Sequence, residues 1–228
     1  MAAQEARRAS ALLPDSVALR AMAARAWLAA GQPDEAQEDL KQAIARNPED
    51  SETRSLLAEI ALKEGKPSAA AEHLQHALQR GATPLLRFQM AVAQTGLGNL
   101  ETVQTELREA GTPKDEVELR GRYEFAIPLL DGWAKTESGN LVSLFQRALV
   151  RRTDPAVAEQ VVRNKKQLDA FVVLAQALPV PAQHQSSHDR RLVALRLMVQ
   201  CVGDLAAYLG AGNEDLISEG RISLGEAI

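Results

Sequence analysis

Apolar residues recur along this chain at spacings of three and four with polar residues between them, the period of one face of an α-helix. Ala36, Leu40, Ala43 and Ile44 form one such stripe, and Leu57, Ala58 and Ala61 another. Leu74, Ala77 and Leu78 repeat the pattern. Further on, Leu141, Leu144, Phe145 and Ala148 share a face, as do Val157, Val161, Leu168, Val172 and Ala175. The broadest face is Leu192, Leu195, Val199, Val202, Leu205, Ala206 and Leu209, widened by Val193, Leu197 and Met198. The spacing predicts helices over about 16–30 and from Pro33 to about 46, with the same pair repeated downstream. In the second half it predicts a helix over 115–135 bent near Pro128, a turn at 135–140 and a helix over 140–152. Helices over 155–178, 188–209 and 214–227 follow, with a loop at 179–187 and Gly210 ending the long one. Composition agrees. The 39 alanines and 31 leucines among 228 residues are strong helix formers, and only eight residues are aromatic. The expected class is all-α.

The punctuation between helices repeats as well. Gly31-Gln32-Pro33-Asp34-Glu35-Ala36 returns as Gly65-Lys66-Pro67-Ser68-Ala69-Ala70, and more loosely as Gly98-Asn99-Leu100-Glu101-Thr102-Val103. Leu40, Leu74 and Leu107 keep the same step, as do Ala24, Ala58 and Ala91. Each signal has a physical role. Gly31 takes the left-handed conformation that ends a helix, and Pro33 suits a first turn where a missing N–H costs nothing. Pro48 then breaks the path, and Asp50 or Ser51 caps the next helix. The third unit is worn: Gln94 stands where an apolar residue is expected, and Leu100 replaces the proline.

These columns resemble the tetratricopeptide repeat, a helix-turn-helix unit of about 34 residues, over residues 2–111. The resemblance implies an α-solenoid of about three repeats plus an N-terminal half repeat at 2–13, followed by a C-terminal helical bundle. The expected domains are 1–112 and 113–228. It also implies a concave face, lined by the first helix of each repeat, that holds a partner peptide or helix. Carried over by phase, its candidate residues are Arg25 and Leu28 in the first repeat, Ser55, Glu59, Leu62 and Lys63 in the second, and Phe88 and Val92 in the third. Ala21, Glu52 and Leu85 lie beside them. The alternative for Leu85 and Phe88 is packing against the helices that follow. The subclass that grips C-terminal carboxylates is a poor match, because its five basic and amide positions read Ala21, Arg25, Leu56, Leu85 and Gln89 here. Arg20, Arg54 and Arg87 form a column common in bacterial members. It reads either as a basic ladder or as arginine stems lying over the seam between repeats.

Charge and chemistry narrow the function classes. Net charge −4 and a pI near 5.7 give no electrostatic footprint for nucleic acid. One cysteine excludes an internal disulfide framework. No secretory signal is visible at the N-terminus and no unbroken apolar run of about 18 residues is present, so a cytoplasmic protein without membrane insertion is expected, export with loss of a signal remaining open. His73 and His76 beside Glu72 have metal-ligand spacing but read better as solvated residues of an outer helix. Cys201, in the apolar stretch of the long helix, reads as a buried hydrophobe. Asp189-Arg190-Arg191 and Lys165-Lys166 read as solvated charges. No phosphate loop, nucleophile elbow or zinc-protease motif occurs, so neither an enzyme nor a cofactor is expected. The favoured function is an adaptor that binds other proteins, with self-association through 192–209 as a further option. The alternatives are a module of a longer regulatory, DNA-binding or membrane-anchored protein and, last, an enzyme sited in the bundle.

Overall fold

The computed structural model describes residues 4, 5, 8, 11, 12 and 15–227; the half repeat expected at 2–13 falls largely outside them. The chain forms two compact units, Met1–Ala93 and Gln94–Ile228. No strand occurs among the described residues.

The first unit contains α1 (Val17–Ala29), α2 (Pro33–Arg46), α3 (Ser51–Lys63), α4 (Pro67–Arg80) and most of α5 (Pro84–Gly96). Helix α1 packs on α2 and α3 on α4, while α2 and α1 each also contact α3. The starts and stops are those the sequence signals. The Ser16 hydroxyl accepts from the Leu19 N–H, and the Asp50 carboxylate accepts from Thr53 N–H at 2.8 Å and from its hydroxyl at 2.6 Å. Pro33 and Pro67 sit in first turns. Gly31, Gly65 and Gly98 have φ of 73°, 72° and 71°. Behind them Gln32 N–H bonds to Trp27 O, Lys66 to Ala61 O and Asn99 to Gln94 O, the same six-residue closure three times. The core of the first pair is Ala21, Ala23, Ala24, Trp27, Ala36 and Leu40, extended by Leu56 and Ile60. The alanines in it are fully buried, and their small side chains are what let the helices approach.

The second unit contains α6 (Leu100–Ala110), α7 (Glu116–Val150), α8 (Pro155–Ala177), a single 3-10 turn (Ala182–His184), α9 (Gln185–Ala211) and α10 (Glu214–Ala227). The compact units divide at Ala93/Gln94 rather than at the expected 112/113, because α6, the second helix of the third repeat, packs on α8. Gln167 of α8 donates to Gly96 O at 3.0 Å, and a Cβ on Gly98 would lie 3.3 Å from Gln167 Cα. Buried Arg122 of α7 holds the far end of α6, donating to Gly111 O at 2.7 Å and Ala110 O at 3.1 Å. The bundle core joins Leu130, Leu141, Leu144 and Phe145 of α7 with Leu168 and Phe171 of α8, Leu195 and Leu205 of α9, and Ile217 of α10.

Two expectations are corrected. Helix α7 is one helix of 35 residues, with no turn at 135–140. Pro128 removes one hydrogen bond on the exposed side of the helix, where the opposing Glu124 is also exposed to water. Across 132–138, Thr136 and Ser138 return their hydroxyls to the carbonyls of Gly132 and Lys135, and Glu137 and Leu141 are buried. Tertiary burial thus overrides the local turn signal. The long helix α9 passes through Gly210 and ends at Gly212, φ +74°. Finally, Ala182–Ala211 is long and apolar enough by composition to cross a membrane, reaching a mean hydropathy of 1.6. Here its Leu195, Met198, Cys201, Val202, Leu205 and Tyr208 belong to the bundle core.

Candidate protein-binding face

The first helices of successive repeats, α1, α3 and α5, carry the residues expected to line a groove. Polar contacts tie them in order. Arg25 of α1 pairs with Glu52 of α3 at 2.9 Å, with both side chains well exposed. Ser55 of α3 donates to the Gln89 Oε1 of α5 at 2.8 Å. Lys63 pairs with Glu59 one turn back at 2.7 Å. Leu28 is half-buried beside them, and Leu85 is 52% exposed. The accessible surface is therefore a strip of mutually satisfied charges and amides with sparse apolar contacts.

The three apolar anchors expected in this strip are not on it. Leu62 and Phe88 are each 1% exposed and Val92 is 0%. In α5 every residue from Phe88 to Ala93 is buried, so that stretch has no free face. The near-continuous run Phe88-Gln89-Met90-Ala91-Val92-Ala93 was the signal for this: a helix apolar on all sides is an interior helix. The alternative of internal packing thus describes Phe88, while Leu85 stays exposed.

Two members of the arginine column, Arg20 and Arg54, lie along the helix seams. Arg20 is 8% exposed and faces Asp39 at 3.8 Å; Asp39 also accepts from the Trp27 indole N–H at 3.0 Å. Arg54 donates to Pro48 O at 2.9 Å and lies 3.5 Å from His73 Nδ1. Burial, followed by the nearby Arg54 cation, holds the His73 imidazole below its ordinary pKa. His73 is therefore a seam residue. No group of three or more metal-ligating side chains occurs among the described residues.

In the second unit Cys201 is fully buried, and burial followed by nearby Asp204 pushes its thiol up to about 12. It stays protonated at neutral pH and acts as a small hydrophobe. His188 is buried with Nε2 at 3.0 Å from Ala175 O, and Tyr123 stacks on His184. Burial lowers the His188 pKa. Glu137 is buried, with Oε2 accepting from Asn140 and Oε1 unpartnered; burial raises its pKa. Arg191, expected as a solvated charge, instead forks onto Asp131 of α7, with Nη2 to Oδ2 at 2.8 Å. That pair, 60 residues apart, has no signal in the local sequence.

The tetratricopeptide repeat family matches residues 2–60 and 28–95. The match covers the first two helical pairs and nearly all of α5, and ends before α6. No curated protein matches the chain, and no solved structure does. With the repeated glycine turns, the paired helices and the family match in one register, the protein is a tetratricopeptide-repeat-containing protein whose N-terminal part is a helical solenoid of that type.

Proposed function

We propose that the chain is an adaptor that binds a segment of another protein along the exposed strip of α1, α3 and α5, formed by Arg25, Glu52, Ser55, Glu59, Lys63 and Leu85. Tetratricopeptide repeats support a protein–protein interaction scaffold in general. The observation that carries the finer reading is the strip itself. Its ion pairs are solvent-exposed, so exchanging them for pairs with a partner costs little. With Leu62, Phe88 and Val92 buried, the partner is an extended, charged segment whose apolar contacts fall on Met22 and Leu28 of α1 and Leu85 of α5.

Photo-crosslinking tests this. A crosslinking side chain placed at Glu52 or Ala29 captures a protein partner, while one at Gln75 on α4 does not. Equal capture from all three positions, or capture from Gln75 alone, rejects the strip as the binding face.

A further inference from the structure

The second unit carries a groove of its own, of about 510 Å³, between α7 and α9. Its accessible apolar lining is made of small, half-buried residues, Ala134 of α7, Ala194 of α9 and Ala227 of α10; Leu195 and Met198 of α9 also line it but are core residues, 1% and 3% exposed. Its rim is cationic: Lys135, Arg190 and Arg191 against a single carboxylate, Asp131. Asp131 is already engaged by Arg191. Lys135 and Arg190 are exposed, and neither is in an ion pair among the described residues. The rim is thus a local excess of positive charge on a chain of net charge −4. The hydroxyls of Ser138 and Ser187 add polar partners at the edge.

The spacing matters as much as the charge. On α7 the lining residues fall at 131, 134, 135 and 138, and on α9 they run from 187 to 198 at steps of three and four. At 1.5 Å per residue the α9 wall is about 16 Å long, three helical turns. An α9 wall of three turns beside an α7 wall of about 11 Å, two turns, with small side chains between them and charge outside, matches the pattern of a groove that receives an amphipathic helix.

We propose that this groove docks a short acidic amphipathic helix of a partner protein, its apolar stripe over the half-buried Ala134 and Ala194 and its carboxylates on Lys135 and Arg190. The site is separate from the repeat strip and does not depend on it. Opposite charge supplies orientation and encounter rate, and the apolar lining supplies burial. A neutral or basic helix leaves both cations unsatisfied or repelled.

The test uses the full chain and a synthetic helix of about three turns with leucines at i, i+3 or i+4 and i+7 and glutamates elsewhere. In ¹H–¹⁵N spectra this probe shifts the signals of Lys135, Ser138, Arg190 and Ala194 saturably. The double variant Lys135→Glu/Arg190→Glu, whose sites are exposed and whose helicity is checked by circular dichroism, weakens binding at least about tenfold. Lys135→Gln/Arg190→Gln weakens it less, and added salt weakens the wild-type complex. Arg25→Glu/Lys63→Glu leaves the probe's affinity unchanged, which separates this site from the repeat strip. The proposal is overturned by absence of saturable shifts, by shifts that map elsewhere, by undiminished binding in the charge-reversed variant, or by equal binding of a probe with lysines in place of glutamates.

Discussion

Asp39 and His73 occupy the same position in successive repeats, and so do Arg20 and Arg54. The first pair places a buried carboxylate near the guanidinium, with the Trp27 N–H as second donor. Asp39→Ala leaves that indole N–H and Arg20 without this acceptor, so a loss of about 1–3 kcal/mol is expected in urea unfolding. The second pair places an imidazole there, and its lowered pKa follows. The unfolded chain binds a proton at His73 near pH 6.5 while the folded chain does not. This contribution is present above pH 6.5 and lost as the pH falls through the folded value. His73→Asp converts the contact to the carboxylate pair of the first repeat. It is expected to add about 0.2–1 kcal/mol at neutral pH and to remove that acid-side loss, read as thermal midpoints at pH 7.5 and 5.5. Glu137 has the opposite sign. Its raised pKa favours the protonated folded form, so its contribution is full below the ordinary value of 4.5 and is lost as pH rises through the folded value. Glu137→Gln keeps a neutral side chain at every pH. It is expected to stabilise the second unit by about 1–3 kcal/mol at neutral pH, with the gain vanishing in acid; a constant gain across pH would contradict the assignment.

Among the elements, the repeat helices were readable because their stops are steric. A glycine at φ near +72° and a proline in the next first turn act locally, and α1 and α3 end, and α2 and α4 begin, beside these signals. Helix α7 was not readable, because its breakers are overruled from a distance. Pro128 costs the helix a hydrogen bond, and Lys135-Thr136-Glu137-Ser138-Gly139-Asn140 has the composition of a turn. Buried Leu130 before that stretch and Leu141 and Leu144 after it hold it helical. Pro128→Ala restores the missing N–H at an exposed position. A gain of about 1–3 kcal/mol in denaturant unfolding is expected, whereas a loss would show that the proline sets a bend the bundle needs. The candidate strip divides in the same way. Arg25, Glu52 and Lys63 are exposed where helical phase placed them, and Ser55 and Glu59 are half-buried beside them. Leu62, Phe88 and Val92 had the right phase, but phase around one helix does not say how many sides are covered. The α7–α9 groove brings Lys135 beside Arg190 and Arg191, a pairing that only the folded bundle creates.

At the scale of the whole molecule, the chain combines a repeat unit and a bundle that share the third repeat. Helix α6 keeps the repeat's columns at Val103, Leu107 and Ala110, yet packs on α8. The broad face of 192–209, which offered a surface for self-association, lies largely in the bundle core, with Val193 left exposed. The binding proposed above accordingly uses polar strips and rims rather than open apolar faces. The most direct measurement compares affinity capture by the full chain with capture by Arg25→Glu/Lys63→Glu, quantified by mass spectrometry. Both substitutions are at exposed positions, so circular dichroism stays unchanged. A protein set enriched by the wild type and lost from the variant is the predicted result. The same set retained at equal yield by both chains would contradict the repeat strip as the site of partner binding.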